Sequence, residues 1–223
     1  MPIDLTASGF LFDMDGTLVD SHAVVERQWG RLAADHGLDI DEILRVSHGV
    51  QAIDTIRRFL PDLSPAEQTA VADDLVAREE DDIDGIVEIA GAAAFLDAMA
   101  AAFAPVALVT SAPRSLALAR LDAAGVRRPV VVVTAEDVER GKPNPDAFLL
   151  AAERLGLDAA SCAAFEDAPA GIAAAVASGA QTVVVGGAVT AETPALARIT
   201  DYTGLVVDIA HDGGAPVWRV SGA

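Results

Sequence analysis

FLFDMDGTLVDS, residues 10–21, carries an apolar strand straight into two carboxylates, Asp13 and Asp15, and then into Gly16 and Thr17. Alternation along an extended chain puts both acids on one face. Gly16 lets the backbone turn sharply once the strand has ended. Two like charges this close are mutually unfavourable unless a cation or a proton lies between them. The pair therefore asks for a metal ion, for one protonated acid, or for both; an acidic loop behind a strand is the plainer alternative.

Outward from that stretch, short apolar runs rich in β-branched residues recur, each ending at a polar or turn residue. They are Val106–Val109 before Thr110, Val130–Val133 before Thr134, Cys162–Phe165 before Glu166, Thr182–Val185 before Gly186, and Leu205–Val207 before Asp208. Alanine-rich stretches with helical spacing separate the later runs: Arg114–Ala124, Pro145–Leu155 and Gly171–Ala177. Strand, helix, strand at this spacing predicts an α/β fold, a doubly wound, mostly parallel, Rossmann-like sheet. Ligands of such sheets bind beyond the carboxyl ends of the strands, where these polar residues sit.

One interval breaks the rhythm. Between Asp20 and Glu88 the pattern is helical, with amphipathic stretches at Ser21–His36, Gln51–Leu60 and Ser64–Glu80. The last opens S-P-A-E, a serine cap with a first-turn proline and a glutamate three residues on. The expected organisation is an α/β core of residues 1–19 and 89–223, with a small helical cap, residues 20–88, inserted after the first strand. The acidic string at 79–88 reads as the return hinge or as a solvated helix end. A further strand is expected at Val217–Val220 in the tail.

Composition narrows the class of function. The chain has 223 residues, 52% hydrophobic and 4% aromatic, with a formal net charge of −19. That charge repels polyanions and excludes nucleic-acid binding as the main task. No window approaches the roughly 18 uninterrupted apolar residues of a membrane span, and MPIDLTASGF carries no secretion signal. A lone cysteine, Cys162, inside an apolar run fits a buried thiol in a reducing compartment. The expectation is a cytoplasmic enzyme, with monomer and homodimer both open.

Three further segments carry chemistry. Thr110 ends VALVTSAP, where a hydroxyl can donate to an anionic oxygen; capping of the next helix by Thr110 or Ser111 is the alternative. Lys142, in GKPNPDAF, is the one lysine among fifteen basic residues, in a loop fixed by glycine and proline. Its ammonium is a compact point charge suited to sit between a carboxylate and a phosphoryl oxygen. FEDAPAGI, residues 165–172, ends a strand in Glu166 and Asp167, either of which could join Asp13 around a hard cation. Such oxygen ligands suit Mg²⁺, and no cluster of histidine or cysteine suits zinc. Helix capping is the alternative for Asp167.

In this order, strand-DxDGT, strand-T, GKP and strand-ED, the sequence resembles the haloacid dehalogenase superfamily of phosphohydrolases over nearly its whole length. TSAPRSLALARL, GKPNPDAFLLAAERLG and FEDAPAGIAAAVASG resemble its sugar- and polyol-phosphate phosphatases and the β-phosphoglucomutase-like group most. The resemblance implies Mg²⁺-dependent hydrolysis of a small sugar or polyol phosphate monoester through an aspartyl phosphate. Asp13 would then be the nucleophile and Asp15 the general acid and base. Thr110 and Lys142 would hold phosphoryl oxygens, with Ser111 a further substrate-binding residue. Mg²⁺ would be bound by Asp13, the Asp15 main-chain carbonyl and Asp167, with Glu166 as a further ligand or beside them. In the cap, SHGVQAIDTIRRF at 47–59 has Val50 and Gln51 where these relatives carry arginines, which disfavours a grip on a second phosphate and hence a phosphomutase. His48, Gln51 and Asp54 are candidates to read a hydroxylated tail, with Asp54 equally placed to pair with Arg57 or Arg58. Arg114 either approaches the phosphate or pairs with surface acids. A third reading is a phosphoacceptor module, which expects a shorter chain and no cap.

Overall fold

A computed structural model of the chain describes residues 3–213 and 215–222. Strands β1 (Ile3–Ala7) and β2 (Gly9–Phe12) come first, followed by the short β3 (Val19–Asp20). Four helices come next: α1 (His22–His36), α2 (Ile40–Ser47), α3 (Ala52–Phe59) and α4 (Pro65–Asp81). The short β4 (Val87–Glu88) pairs antiparallel with β3, so one small ribbon both opens and closes the helical segment. The chain then alternates through α5 (Ala92–Ala101), β5 (Val106–Val109), α6 (Arg114–Ala123), β6 (Val131–Val133), α7 (Asp146–Arg154), β7 (Cys162–Glu166) and α8 (Pro169–Ser178). It ends in β8 (Gln181–Val185), β9 (Ala197–Ile199), β10 (Val206–Asp212) and β11 (Ala215–Gly222).

Six strands form one parallel sheet in the order β6-β5-β2-β7-β8-β9, with β2 near its middle. Alternation along β2 divides the core. Phe10 and Phe12 point to the side covered by α5 and α6, and Leu11 points to the side covered by α7 and α8. Helices on both faces bury the central strands β5, β2, β7 and β8, which is why these are near-continuous apolar runs. In a chain so poor in aromatics, four rings gather directly beneath the strand ends. Phe12 stacks on Phe165 with centroids 4.7 Å apart, and Phe95 and Tyr202 complete the group. Cys162 opens β7 opposite Gly9 and is fully buried.

The helical segment has its own small core, in which Trp29, Leu32, Ile43, Ile56 and Leu75 meet. The capping box at the start of α4 is formed: Ser64 Oγ accepts from Glu67 N, and Glu67 Oε2 accepts from Ser64 N at 2.8 Å.

The structure departs from the sequence reading at the chain's two ends. Leu205–Val207 was expected in the parallel sheet, but β10 lies in a separate antiparallel sheet of order β1-β11-β10. Asp208 accordingly sits mid-strand opposite Arg219, and not at the carboxyl edge of the parallel sheet. The pairing partners of β1 lie about two hundred residues downstream, with Ile3 opposite Gly222, a relation that local patterning does not encode. Trp218 fastens this second sheet to the core by donating from Nε1 to Ala102 O at 2.8 Å.

Candidate active site

The register of the central strands sets the site. Phe12 lies level with Leu108 on one side and with Phe165 on the other, so Asp13, Thr110, Glu166 and Asp167 emerge together at the carboxyl edge. Lys142, from the loop ahead of α7, reaches into this edge. Its Nζ donates to Asp13 Oδ1 at 2.5 Å, to Glu166 Oε1 at 2.7 Å and to Val109 O at 3.1 Å, which uses all three of its protons. Burial works against this ammonium, but Asp13 and Glu166 together outweigh it and hold its pKa above the ordinary lysine value.

The carboxylates outnumber it. Burial, reinforced by the charge of Glu166, raises Asp13 to about 7 against the pull of Lys142. Asp167 is likewise pushed well above the usual carboxylate range, by burial and then by the charges of Glu166 and Asp13. One oxygen from each of Asp13, Glu166 and Asp167 lies within 4.8 Å of the others. Three acids around one ammonium leave a deficit of positive charge, and the donors are all hard oxygens. That combination fits a divalent cation such as Mg²⁺.

Two glycines make this convergence possible. Gly16 has φ of 81°, and a Cβ there would fall 2.1 Å from Asp167 Oδ2, so only glycine permits the turn against that carboxylate. A Cβ on Gly171 would fall 1.6 Å from Glu166 Oε1. Thr17 donates to Asp167 Oδ1 at 2.9 Å, and Ala168 N donates to Glu166 Oε2 at 2.8 Å, which fixes both acids from behind. Asp167 is thus held from across the edge and makes no cap bond to α8.

A cavity of about 90 Å³ lies between this edge and the helical segment, lined by Asp13, Asp15, Thr110 and Ser111 from the core and by Trp29, Ser47 and His48 from the helices. Thr110 Oγ1 accepts from Ala112 N at 3.1 Å, which leaves its proton to donate elsewhere. Ser111 Oγ donates to Gly49 O at 2.9 Å, and Gln51 Nε2 to Ala135 O at 3.3 Å. Both side chains therefore tie the helical segment to the core. His48 has its pKa lowered by burial and by neighbouring His22, so it faces the cavity as a neutral imidazole.

Two residues from the sequence reading lie elsewhere. Arg114 is outside the cavity: its Nη2 donates to Val132 O and Asp137 Oδ2, and its main-chain N to Glu136. Asp54 pairs with Arg57 on its own helix.

Two others were missed. Arg120, on α6, is buried and bonds both Asp15 and Glu79. Glu79, within the string read as hinge or solvated end, turns inward from the last turns of α4, while Asp82 takes the bonds of Arg27 and Gln28. Burial, against the pull of Arg120, raises Glu79 to about 7. A signal existed in the sequence: Arg120 follows Leu116 and Ala117 on the apolar stripe of α6, and Glu79 follows Ala72 and Leu75 on that of α4.

Among the described residues, no helix is long and apolar enough to cross a membrane. The chain is 44% identical over 195 residues to hexitol phosphatase A of Escherichia coli K12, covering 87% of this chain and 89% of that one. It is 32% identical to glycerol-1-phosphate phosphohydrolase 2 of Saccharomyces cerevisiae, covering 82% and 76%. The fold superposes on β-phosphoglucomutase from Clostridium difficile with a TM-score of 0.77 at 23% identity, over 87% of this chain and 91% of that one. The family model of haloacid dehalogenase-like hydrolases matches residues 7–179, and the chain belongs to that family.

Proposed function

We propose that the protein hydrolyses phosphate monoesters of small sugars or polyols, with Mg²⁺, through a phosphorylated Asp13. The observation that carries this reading is the charge arrangement: Asp13 paired with Lys142 through one oxygen, with a second acid, Asp15, lining the same small cavity. The names of the relatives support the substrate class, since both act on phosphorylated polyols.

Asp13 Oδ1 is taken by Lys142. The other oxygen attacks phosphorus as the bond to the leaving alcohol breaks, and Asp15 gives that alcohol its proton. Water then attacks the phosphorylated Asp13 and gives its proton to Asp15, and inorganic phosphate leaves. Thr110 donates to a phosphoryl oxygen, and Lys142 adds positive charge beside it. Ser111 is placed at the same rim. Asp13, the Asp15 main-chain carbonyl and Asp167 would hold Mg²⁺, with Glu166 beside them. When bound, the ion supplies neutralisation of the phosphoryl oxygens.

A volume near 90 Å³ suits a short ester tail. His48, neutral and facing the cavity, is placed to hydrogen-bond a hydroxyl of that tail. Among the described cavity-lining residues the cation is Arg120, and it is engaged by two carboxylates. No free cation waits there for a second phosphate, so hydrolysis is preferred to a phosphomutase reaction.

The test is inorganic phosphate release from a panel of hexitol, glycerol and hexose phosphates, with Mg²⁺ and with EDTA. Release confined to Mg²⁺ and concentrated on polyol or sugar esters is the expected result. Absence of release from every ester by folded protein would overturn it.

A further inference from the structure

Arg120 and Glu79 take no part in holding the phosphate, yet both are buried beside it. From α6, Arg120 Nη1 reaches Asp15 Oδ1 at 2.9 Å, and Nη2 reaches Glu79 Oε2 on α4 at 3.0 Å. Asp15 Oδ1 also accepts from Ser21 Oγ at 2.6 Å. One oxygen of Asp15 is therefore used twice, and the other, Oδ2, makes no hydrogen bond among the described residues. The guanidinium is a rigid plane, held at one corner by a hydrogen bond to Glu79 and at another by the ion pair with Asp15, which together restrain its rotation. Its side chain is only 4% exposed, so losing either partner would leave a buried charge poorly compensated.

Resting on the phosphatase reading above, we propose that Arg120 is a positioning residue, braced by Glu79 from the helical insert, that turns Asp15 so that Oδ2 faces the leaving-group oxygen. Oδ2 is then the atom that gives its proton to the departing alkoxide as the phosphorus–oxygen bond breaks and the bond to Asp13 forms. The same atom takes a proton from water as water attacks phosphorus and the bond to Asp13 breaks. The brace comes from α4 and the fork from α6, so Asp15 is aimed only when the insert is seated on the core.

The experiment compares kcat and KM for a polyol phosphate and for an aryl phosphate with an acidic phenol as leaving group. A phenolate departs without needing a proton, so its release is indifferent to the aim of Asp15. Arg120→Met is expected to lower kcat for the polyol ester by roughly 100-fold, the low end of what a positioned acid contributes, with KM kept and the aryl ester little affected. Arg120→Lys keeps the charge but cannot fork, and gives the same selective loss at smaller size; it decides the matter if the methionine variant does not fold. Glu79→Ala, which frees the far corner, lowers kcat in the same selective way. Equal losses on both esters, or none, would overturn the inference. So would a raised KM for the polyol ester with kcat kept, which would make the pair a hydroxyl-reading subsite. Wild-type protein inactive on both esters would instead count against the phosphatase reading.

Discussion

Lys142 is the one lysine in the sequence and it faces three carboxylates, so its removal tests the charge balance directly. Lys142→Met leaves Asp13 and Glu166 buried without their cation, and such losses cost about 3–5 kcal/mol. Urea unfolding in EDTA should show that deficit, and added Mg²⁺ should recover part of it. Asp13→Asn keeps volume but removes the carboxylate proposed as nucleophile, so phosphate release should vanish while the melting curve stays cooperative; retained turnover would overturn the covalent route. Glu79 predicts a pH dependence. A carboxyl raised from 4.5 to about 7 on folding contributes its full stability below the lower value and loses it as pH rises through the upper one. Arg120 faces this carboxyl and Asp15 lies beyond it; Asp13 and Asp167 also titrate upward in the metal-free protein. In EDTA, melting temperature should fall from pH 5 to pH 8, and Glu79→Gln should make that slope shallower. The acids at strand ends were readable because a polar residue behind an apolar run is conspicuous. Arg120 and Glu79 carried a weaker signal, their place on an apolar helix stripe, because a charge there looks like surface until the facing helix is known.

Helices carry a different kind of legibility. The start of α4 was written in S-P-A-E and the structure forms the expected reciprocal bonds. Ser64→Ala should cost about 1 kcal/mol, seen as earlier opening of the insert in hydrogen exchange while the parallel sheet keeps its protection. Alanine-rich α5 went unread, since a stretch such as AAAFLDAMAA has too little polar contrast to show a face. Helix α2, eight residues long, falls between the stretches read at Ser21–His36 and Gln51–Leu60 and went unread. Strands β5, β7 and β8 were read to within a residue because full burial on both faces makes each a continuous apolar run. β10 was read as a strand but given the wrong sheet, since a run of three apolar residues does not say what it will pair with.

Across the whole molecule, a charge of −19 works against compaction. Raising ionic strength from about 0.01 M to about 0.15 M shortens the screening length from about 30 Å to about 8 Å. The melting temperature should rise over that interval, and a flat response would mean that surface pairs such as Arg219–Asp4 already absorb the repulsion. Cys162 offers a way to time the opening of the centre. It is the chain's single thiol, it is fully buried, and burial holds its pKa above the usual thiol value. A thiol reagent in excess must therefore wait for β7 to part from its neighbours, and the labelling rate becomes a clock for breathing of the strand pair that carries Asp13 and Glu166. Slower labelling on addition of Mg²⁺, with the thiol itself far from any ligand, would register how much the charge balance at the carboxyl edge holds the middle of the sheet together.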